Sequence, residues 1–440
     1  MSTASSLLAA ALAVAAVALA PLACSRATEP PAVPDAAPPP AEEEPDAAPP
    51  PPPKVELGQH AVTVRETRRV VPGPGFPAEV AIGNSNNNLD VLRFGGRVYF
   101  AFRTSKDHYA SDATAIYVVS SENEADWRFE ARFKADGDLR EPRFLELGGE
   151  LLLYVARLGV DPLKFEPKGT LVSRRGVDGT WSSLADIGKP GAIAWRTRVE
   201  RGVPYMTAYL GGEHIYDFSG APLSVELLTT RDGMSWTALP GAGDAGDAGD
   251  AGDATVYRGG GSESDFTLDD DGALYAVIRN EAGDATGFGS KVCTAPAGAL
   301  ASWKCVSDPK KYDSPLVFRV GSEIYLVGRR NLTETGNYDL GRRDLTIPGQ
   351  ELTYQLDYRG KPKRCSLWRF VKGESRVAYV LDLPSKGDTC FAGVLPGATP
   401  EERVLYNYSS DLDLPGEPTW GQGQIGPTHI YRHVLRFEPR

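Results

Sequence analysis

The chain has 440 residues, a formal charge of −11, 41% hydrophobic residues and 24% charged ones. Those proportions are globular and exclude a wholly disordered or membrane-embedded protein. The acidity is local: outside residues 26–54 and a Gly-Asp-Ala repeat at 243–254, 48 acids face 45 bases, leaving no basic excess to neutralise phosphates, so nucleic acid is excluded as a partner.

In chain order, Leu7–Ala20 is an apolar run of 14 residues, too short for a membrane span of about 20. It ends in Ala20-Pro21-Leu22-Ala23-Cys24-Ser25, which resembles a bacterial lipoprotein signal. That resemblance implies removal of residues 1–23 and lipidation of Cys24. Ser25 after the cysteine implies sorting to the outer membrane, with the lipid as the only membrane contact. Pro21 and the lack of Lys or Arg before the run depart from the pattern; the other reading is an ordinary secretory peptide. Residues 24–58 hold twelve prolines between Pro30 and Pro53 and predict a disordered, extended tether. The body is expected at 59–440.

That body has short runs of Val, Phe, Tyr and Leu split by Gly, Asp and Asn, an all-β signal. Trp127, Trp181, Trp236, Trp303, Trp368 and Trp420 recur every 52 to 67 residues, the longest gap holding the 12-residue Gly-Asp-Ala repeat. Six units of this period predict one six-bladed β-propeller. Each unit opens with a hairpin, as in Asp90-VLRF-GG-RVYFAF-Arg103, Glu141-PRFLEL-GG-ELLLYVA-Arg157 and Glu263-SDFTL-DDDG-ALYAVI-Arg279. A fifth runs from Ser314 to Arg329. Residues equidistant from a tight turn meet at the hairpin's open end. The pattern therefore gathers Asp90, Arg103, Glu141, Arg157, Glu263, Arg279 and Arg329 around one central depression.

Four cysteines remain after Cys24, and an even set in an exported protein suggests disulfides. Of three pairings, Cys293–Cys305 and Cys365–Cys390 are favoured, because each brackets a strand–turn–strand segment. His429 and His433 share a strand face without a third ligand, so no metal site is expected, nor any cofactor. The Gly-Asp-Ala repeat lacks the nonapeptide calcium pattern and reads as a flexible loop.

The hairpin at Glu263–Arg279 and the turn Thr230-Arg-Asp232-Gly233-Met-Ser-Trp236 resemble those of the sialidase-like superfamily of six-bladed propellers with Asp-box repeats. Asp178-Gly-Thr-Trp181 and Glu124-Ala-Asp126-Trp127 look like degraded versions of that turn. Leu89-Asp90, Arg103 with His108, Asp138-Leu-Arg140-Glu141-Pro142, Gly387-Asp388-Thr389 and Tyr408-Ser409-Ser410 resemble patterns of bacterial sialidase-like proteins. The resemblance implies a retaining exo-glycosidase. Glu263 would activate Tyr406 or Tyr408, and Asp138 or Asp112 would donate the proton. Arg103, Arg279 and Arg329 would bind an anionic group through bidentate hydrogen bonds, with Arg140, Asp90, His108, Glu141 and Asp265 completing the ligand site. Where sialidases carry Arg-Ile-Pro this chain has Asn86-Asn87-Asn88-Leu89-Asp90, so their first arginine is absent or replaced by Arg140. After Gly-Asp-Thr it has Cys390-Phe391 instead of Ser-Tyr.

Two readings follow. The protein is a surface-anchored glycoside hydrolase whose partner is a glycan or other anionic small ligand, or it is a non-catalytic glycan-binding or scaffold lipoprotein using the same face. A monomer is expected.

Overall fold

The computed structural model describes residues 49–239 and 253–440. The signal segment, Cys24, most of the tether and residues 243–252 of the Gly-Asp-Ala repeat lie outside the described residues. Residues expected to end the tether are attached: Glu56 forms a two-pronged pair with Arg376, at 2.9 and 3.0 Å.

Strands from His60 to Pro439 build six blades of four antiparallel strands, the third blade with an added strand, Thr255–Gly259, paired to its own third strand. Blades 1 to 5 take their strands consecutively, with inner strands Ser85–Phe94, Asp138–Leu147, Ile193–Glu200, Gly261–Leu268 and Leu316–Val320. Blade 6 runs Gly393–Pro396, Glu402–Ser410 and Thr428–Pro439, and its outer strand is His60–Val71 from the other end of the chain. The N-terminal strand thus closes the ring, which leaves no blade incomplete.

Second strands are sandwiched between neighbouring blades, so they read as unbroken apolar runs rather than as alternation. In Arg97–Ser105, Phe100 and Phe102 pack with Tyr406 and Trp127 on one side. Tyr99 and Ala101 meet Phe144 and Leu153 of blade 2 on the other. The turns that join inner to second strands use Gly95-Gly96 and Gly148-Gly149, all at positive φ, as tight hairpins require.

The tryptophan period finds the right number of blades, but its units are not all equivalent. Trp127, Trp181, Trp236 and Trp303 sit at or just before the outer strand of blades 1 to 4. Trp368 lies in the third strand of blade 5, and Trp420 begins a short helical turn in blade 6. Asp232 caps its turn by accepting the N–H groups of Met234 and Ser235, both at 2.8 Å. In blade 1 Asn123, not Asp126, supplies that acceptor.

Both disulfides form as paired above. Cys293–Cys305 ties the two outermost strands of blade 4, and Cys365–Cys390 joins blade 5 to the chain leading into blade 6. Loops of this size stabilise by about 3 kcal/mol each in the chain-entropy view. A helix at Ile347–Arg359 interrupts blade 5. The all-β reading passed over it, although Thr346 as N-cap and Pro348 in the first turn are start signals.

Candidate functional site

All six inner strands leave regular geometry at the same end. Blades 1 to 4 carry bulges at Asn87–Leu89, Arg140–Arg143, Ala194–Arg196 and Gly261–Ser264. Blades 5 and 6 place Ser314 and Cys390 at positive φ just ahead of theirs, and Asn88 and Glu141 share that conformation. Such backbone costs on the order of 1–3 kcal/mol per residue and clusters where side chains must be aimed. Here it turns them towards the mouth of the axis.

Those bulges also undo the simple hairpin pairing. Arg103 lies opposite Asn87, and Asp90 opposite Ala101. The carboxylate that meets Arg103 is Asp138 of the next blade, at 3.1 Å, with both side chains fully buried. Arg157 lies opposite Leu139 and pairs with exposed Asp136 instead of Glu141. Glu263 and Arg279 do meet, at 2.9 Å.

The mouth is a chain of polar contacts running round the axis. Arg279 Nη1 also lies 3.1 Å from Glu281 and 3.8 Å from Asp313. Asp313 accepts from Arg329 Nη1 and from the Tyr358 hydroxyl, each at 2.7 Å. Arg329 Nη2 reaches the Tyr408 hydroxyl, which donates to Asp388 at 2.9 Å. Asp388 also accepts the Trp420 indole N–H at 3.1 Å and meets His108 Nδ1 at 2.7 Å. Asn88, next to the Asn87 that flanks His108, donates to Glu141 at 3.2 Å.

Burial sets the protonation of these groups. It raises the Glu141 carboxyl to about 7, with neighbouring Glu263 adding to the rise and Arg143 opposing it. Burial also raises Glu263, against Arg279 and with Asp313. In Asp313 burial is outweighed by Lys311, Arg329 and Arg279, which hold it at about 2. In Asp388 it is outweighed by His108 and Arg329. Two aspartates held ionised and two glutamates raised by burial thus share the central face.

Below the mouth the axis is filled. Arg143 donates to the carbonyls of Trp195 and Leu89 and covers the Phe391 ring at 4.2 Å. Arg196 donates to the carbonyls of Pro315 and Ala392. Asp265 holds Arg198 through both oxygens, at 2.7 and 2.8 Å. Asp90 accepts the Phe144 N–H at 2.8 Å. Asp90 and Asp265, expected in the ligand site, belong to this axle, because the bulges carry them past the mouth.

Other expected site residues also lie elsewhere. Tyr406 donates to Glu124, away from Glu263. Tyr408 reaches the mouth but donates to Asp388, so neither tyrosine meets Glu263, whose oxygens are taken by Arg279 and the Ser314 N–H at 2.6 Å. Asp112 is exposed in the loop before Ala115–Ser121. Asp138, although buried, is held ionised by Arg140 and Arg103, which suits a carboxylate partner and not a proton donor. His429 and His433 take separate partners, Asp411 and Thr67.

The structure adds Asp313, Asp388, Lys311, Glu281, Tyr358 and Trp420. Asp313 was legible: it precedes Ser314 and supplies the acid that the fifth hairpin lacked. Tyr358 comes from the overlooked helix, and Trp420 was absorbed into the tryptophan count.

No protein-family model matches the chain, and no curated protein matches its sequence significantly. Among solved structures it is similar to the phage phi92 endosialidase, with TM-score 0.52 and 10% identity over 86% of this chain and 69% of that one. It is also similar to Trypanosoma rangeli sialidase, with TM-score 0.51 and 11% identity over 80% of this chain. The same enzyme in complex with sialic acid gives TM-score 0.50 and 11% identity over 85% of this chain. The chain spans only 55% and 58% of those two sialidase chains. At such identities the likeness extends to architecture alone, and the architecture is that of a sialidase-like β-propeller.

Proposed function

We propose that this protein acts on a glycan at the mouth of its central axis, with the Glu141–Glu263 carboxyl pair supplying the proton that glycoside cleavage needs. The observation that carries the reading is these two carboxyls at the mouth, Glu263 buried and Glu141 partly so, both raised by burial, Glu141 to about 7 with the charge of Glu263 adding to its rise. Glycosidases use paired carboxyls whose environments keep one of them acidic near neutrality. Arg279, Arg329 and Arg140 line the same mouth, and each already meets a carboxylate. They would hold a sugar through charge-assisted hydrogen bonds within a balanced field. The shared fold of sialidases, one of them a complex with sialic acid, supports a sugar ligand and leaves room for an anionic one. A tyrosine nucleophile acting through Glu263 is not part of this reading.

The second reading, glycan binding or scaffolding without turnover, is favoured by that same ion pairing, which leaves the arginines satisfied before any ligand arrives. In both readings the body at 59–440 is a monomer carried on a tether, exported, and held at the outer membrane through Cys24. The test is a panel of chromogenic glycosides with the mature protein and its Glu141→Gln and Glu263→Gln variants. Turnover lost in both variants is the expected result. Saturable sugar binding with no turnover selects the second reading, and turnover untouched by either substitution overturns the site.

A further inference from the structure

His108 stands apart from the other groups at the mouth. Its backbone is held on both sides: its N–H donates to the Gln424 carbonyl at 3.2 Å, and its carbonyl accepts from Arg140 Nη2 at 2.8 Å. Its ring is held by Asp388 at Nδ1, at 2.7 Å. Asp388 is fully buried and fixed by Tyr408, Trp420 and the N–H of its own backbone on Ser410. The imidazole side chain is 19% exposed, and among the described residues nothing hydrogen-bonds Nε2. A buried carboxylate on Nδ1 keeps the proton on that nitrogen and leaves the lone pair on Nε2. Six blades place blade 1, whose loop carries His108, opposite blade 4, which carries Glu263.

We infer that His108 is the general base of the central face, with Asp388 as its positioning residue; this rests on the glycan reading above. Nε2 takes a proton from water as the water oxygen bonds to the anomeric carbon. The glycosidic C–O bond breaks, and the departing oxygen takes the proton of the Glu141–Glu263 pair. The imidazolium, stabilised by Asp388, then returns its proton to that carboxylate through solvent. Acid and base stand on different blades.

The experiment has two arms on the full mature chain. In the first, diethyl pyrocarbonate is added at pH 8 and modified histidines are mapped by mass spectrometry. His214 is the internal control, since it also pairs with an aspartate, Asp217, but lies outside the ring. Native His108 is expected to react. Asp388→Asn should slow His108 and leave His214 unchanged. An unreactive His108, or one indifferent to Asp388→Asn, overturns the inference. In the second arm, His108→Ala should lower kcat on the best chromogenic glycoside by about 10²- to 10⁴-fold, with partial recovery in added imidazole. Loss of activity without such recovery points to a structural role and overturns the assignment, as does unchanged activity. If the native protein turns over no glycoside, the hydrolase reading falls while the labelling arm still decides whether His108 is an Asp388-activated base.

Discussion

The axle and the mouth use the same chemistry a few residues apart, yet they do opposite things. In the axle, Arg143, Arg196, Asp90 and Asp265 are closed in by carbonyls, backbone N–H groups and each other. Burial, with Arg196 beside it, weakens even Arg143's hold on its proton to about 9. At the mouth, Glu141 and Glu263 share one field and His108 keeps a free nitrogen. Charge alone therefore does not mark a site: Arg143 Nη2 lacks a hydrogen bond yet is sealed in the axle, whereas the His108 imidazole is partly exposed.

The largest effect should come from breaking the axle. Asp265→Ala leaves buried Arg196 without its carboxylate and Arg198 with Glu200 alone, and urea unfolding should show a loss of about 3–5 kcal/mol. If the loss is under 1 kcal/mol, the axle is dispensable and the contrast with the mouth collapses. Next, the Cys293→Ala, Cys305→Ala double variant should lose about 3 kcal/mol while leaving glycan binding, measured by calorimetry, unchanged. That disulfide lies on the blade rim, so a change in binding would show that rim and mouth are coupled.

Glu351, on the helix that overlies the mouth, should behave in the opposite sense. Burial, with Glu281 adding to it, raises its carboxyl to about 9. A carboxyl raised in the folded state favours folding below its unfolded value of 4.5, and that advantage is lost as pH rises towards 9. Glu351→Gln should therefore raise stability at pH 7 by up to about 3 kcal/mol, with no gain at pH 4. A variant less stable than the parent at pH 7 would mean that the hydrogen bond from Gln355 to this carboxyl outweighs the cost of its burial. His433 gives a reverse pH dependence. Burial lowers its ring to about 3, so stability should fall as pH drops from 6.5 towards 3. His433→Gln should flatten that slope in urea titrations.

The smallest effect is expected for Tyr408→Phe, which removes one donor from Asp388. The Trp420 N–H and His108 remain, so stability should change by about 1–2 kcal/mol. His108 labelling should persist. Its loss would mean that Tyr408, and not Asp388 alone, orients the ring.

The all-β architecture and the six-fold count were legible in sequence, because second strands buried on both faces must be apolar throughout and the tryptophans recur at a near-constant period. The disulfides were legible because short strand–turn–strand segments bring their ends together. One of the site's acid–arginine pairs, Glu263–Arg279, was legible too. Others were not, since a bulge of one or two residues is invisible in an alternating pattern yet moves a side chain from the mouth to the axle, as with Asp90 and Asp265. Asp313 reaches Arg329, and Asp388 reaches His108, from segments just before an inner strand, beyond the hairpin ends that the repeat highlights.

By itself the sequence determined how many blades form and where several of their opening hairpins lie, since periodicity and turn chemistry are local properties. Which charges are spent in the axle and which stay available at the mouth was decided only by the tertiary structure. Protonation and pairing depend on burial and on neighbours tens or hundreds of residues away, such as Asp388 beside His108, and no local pattern carries that information.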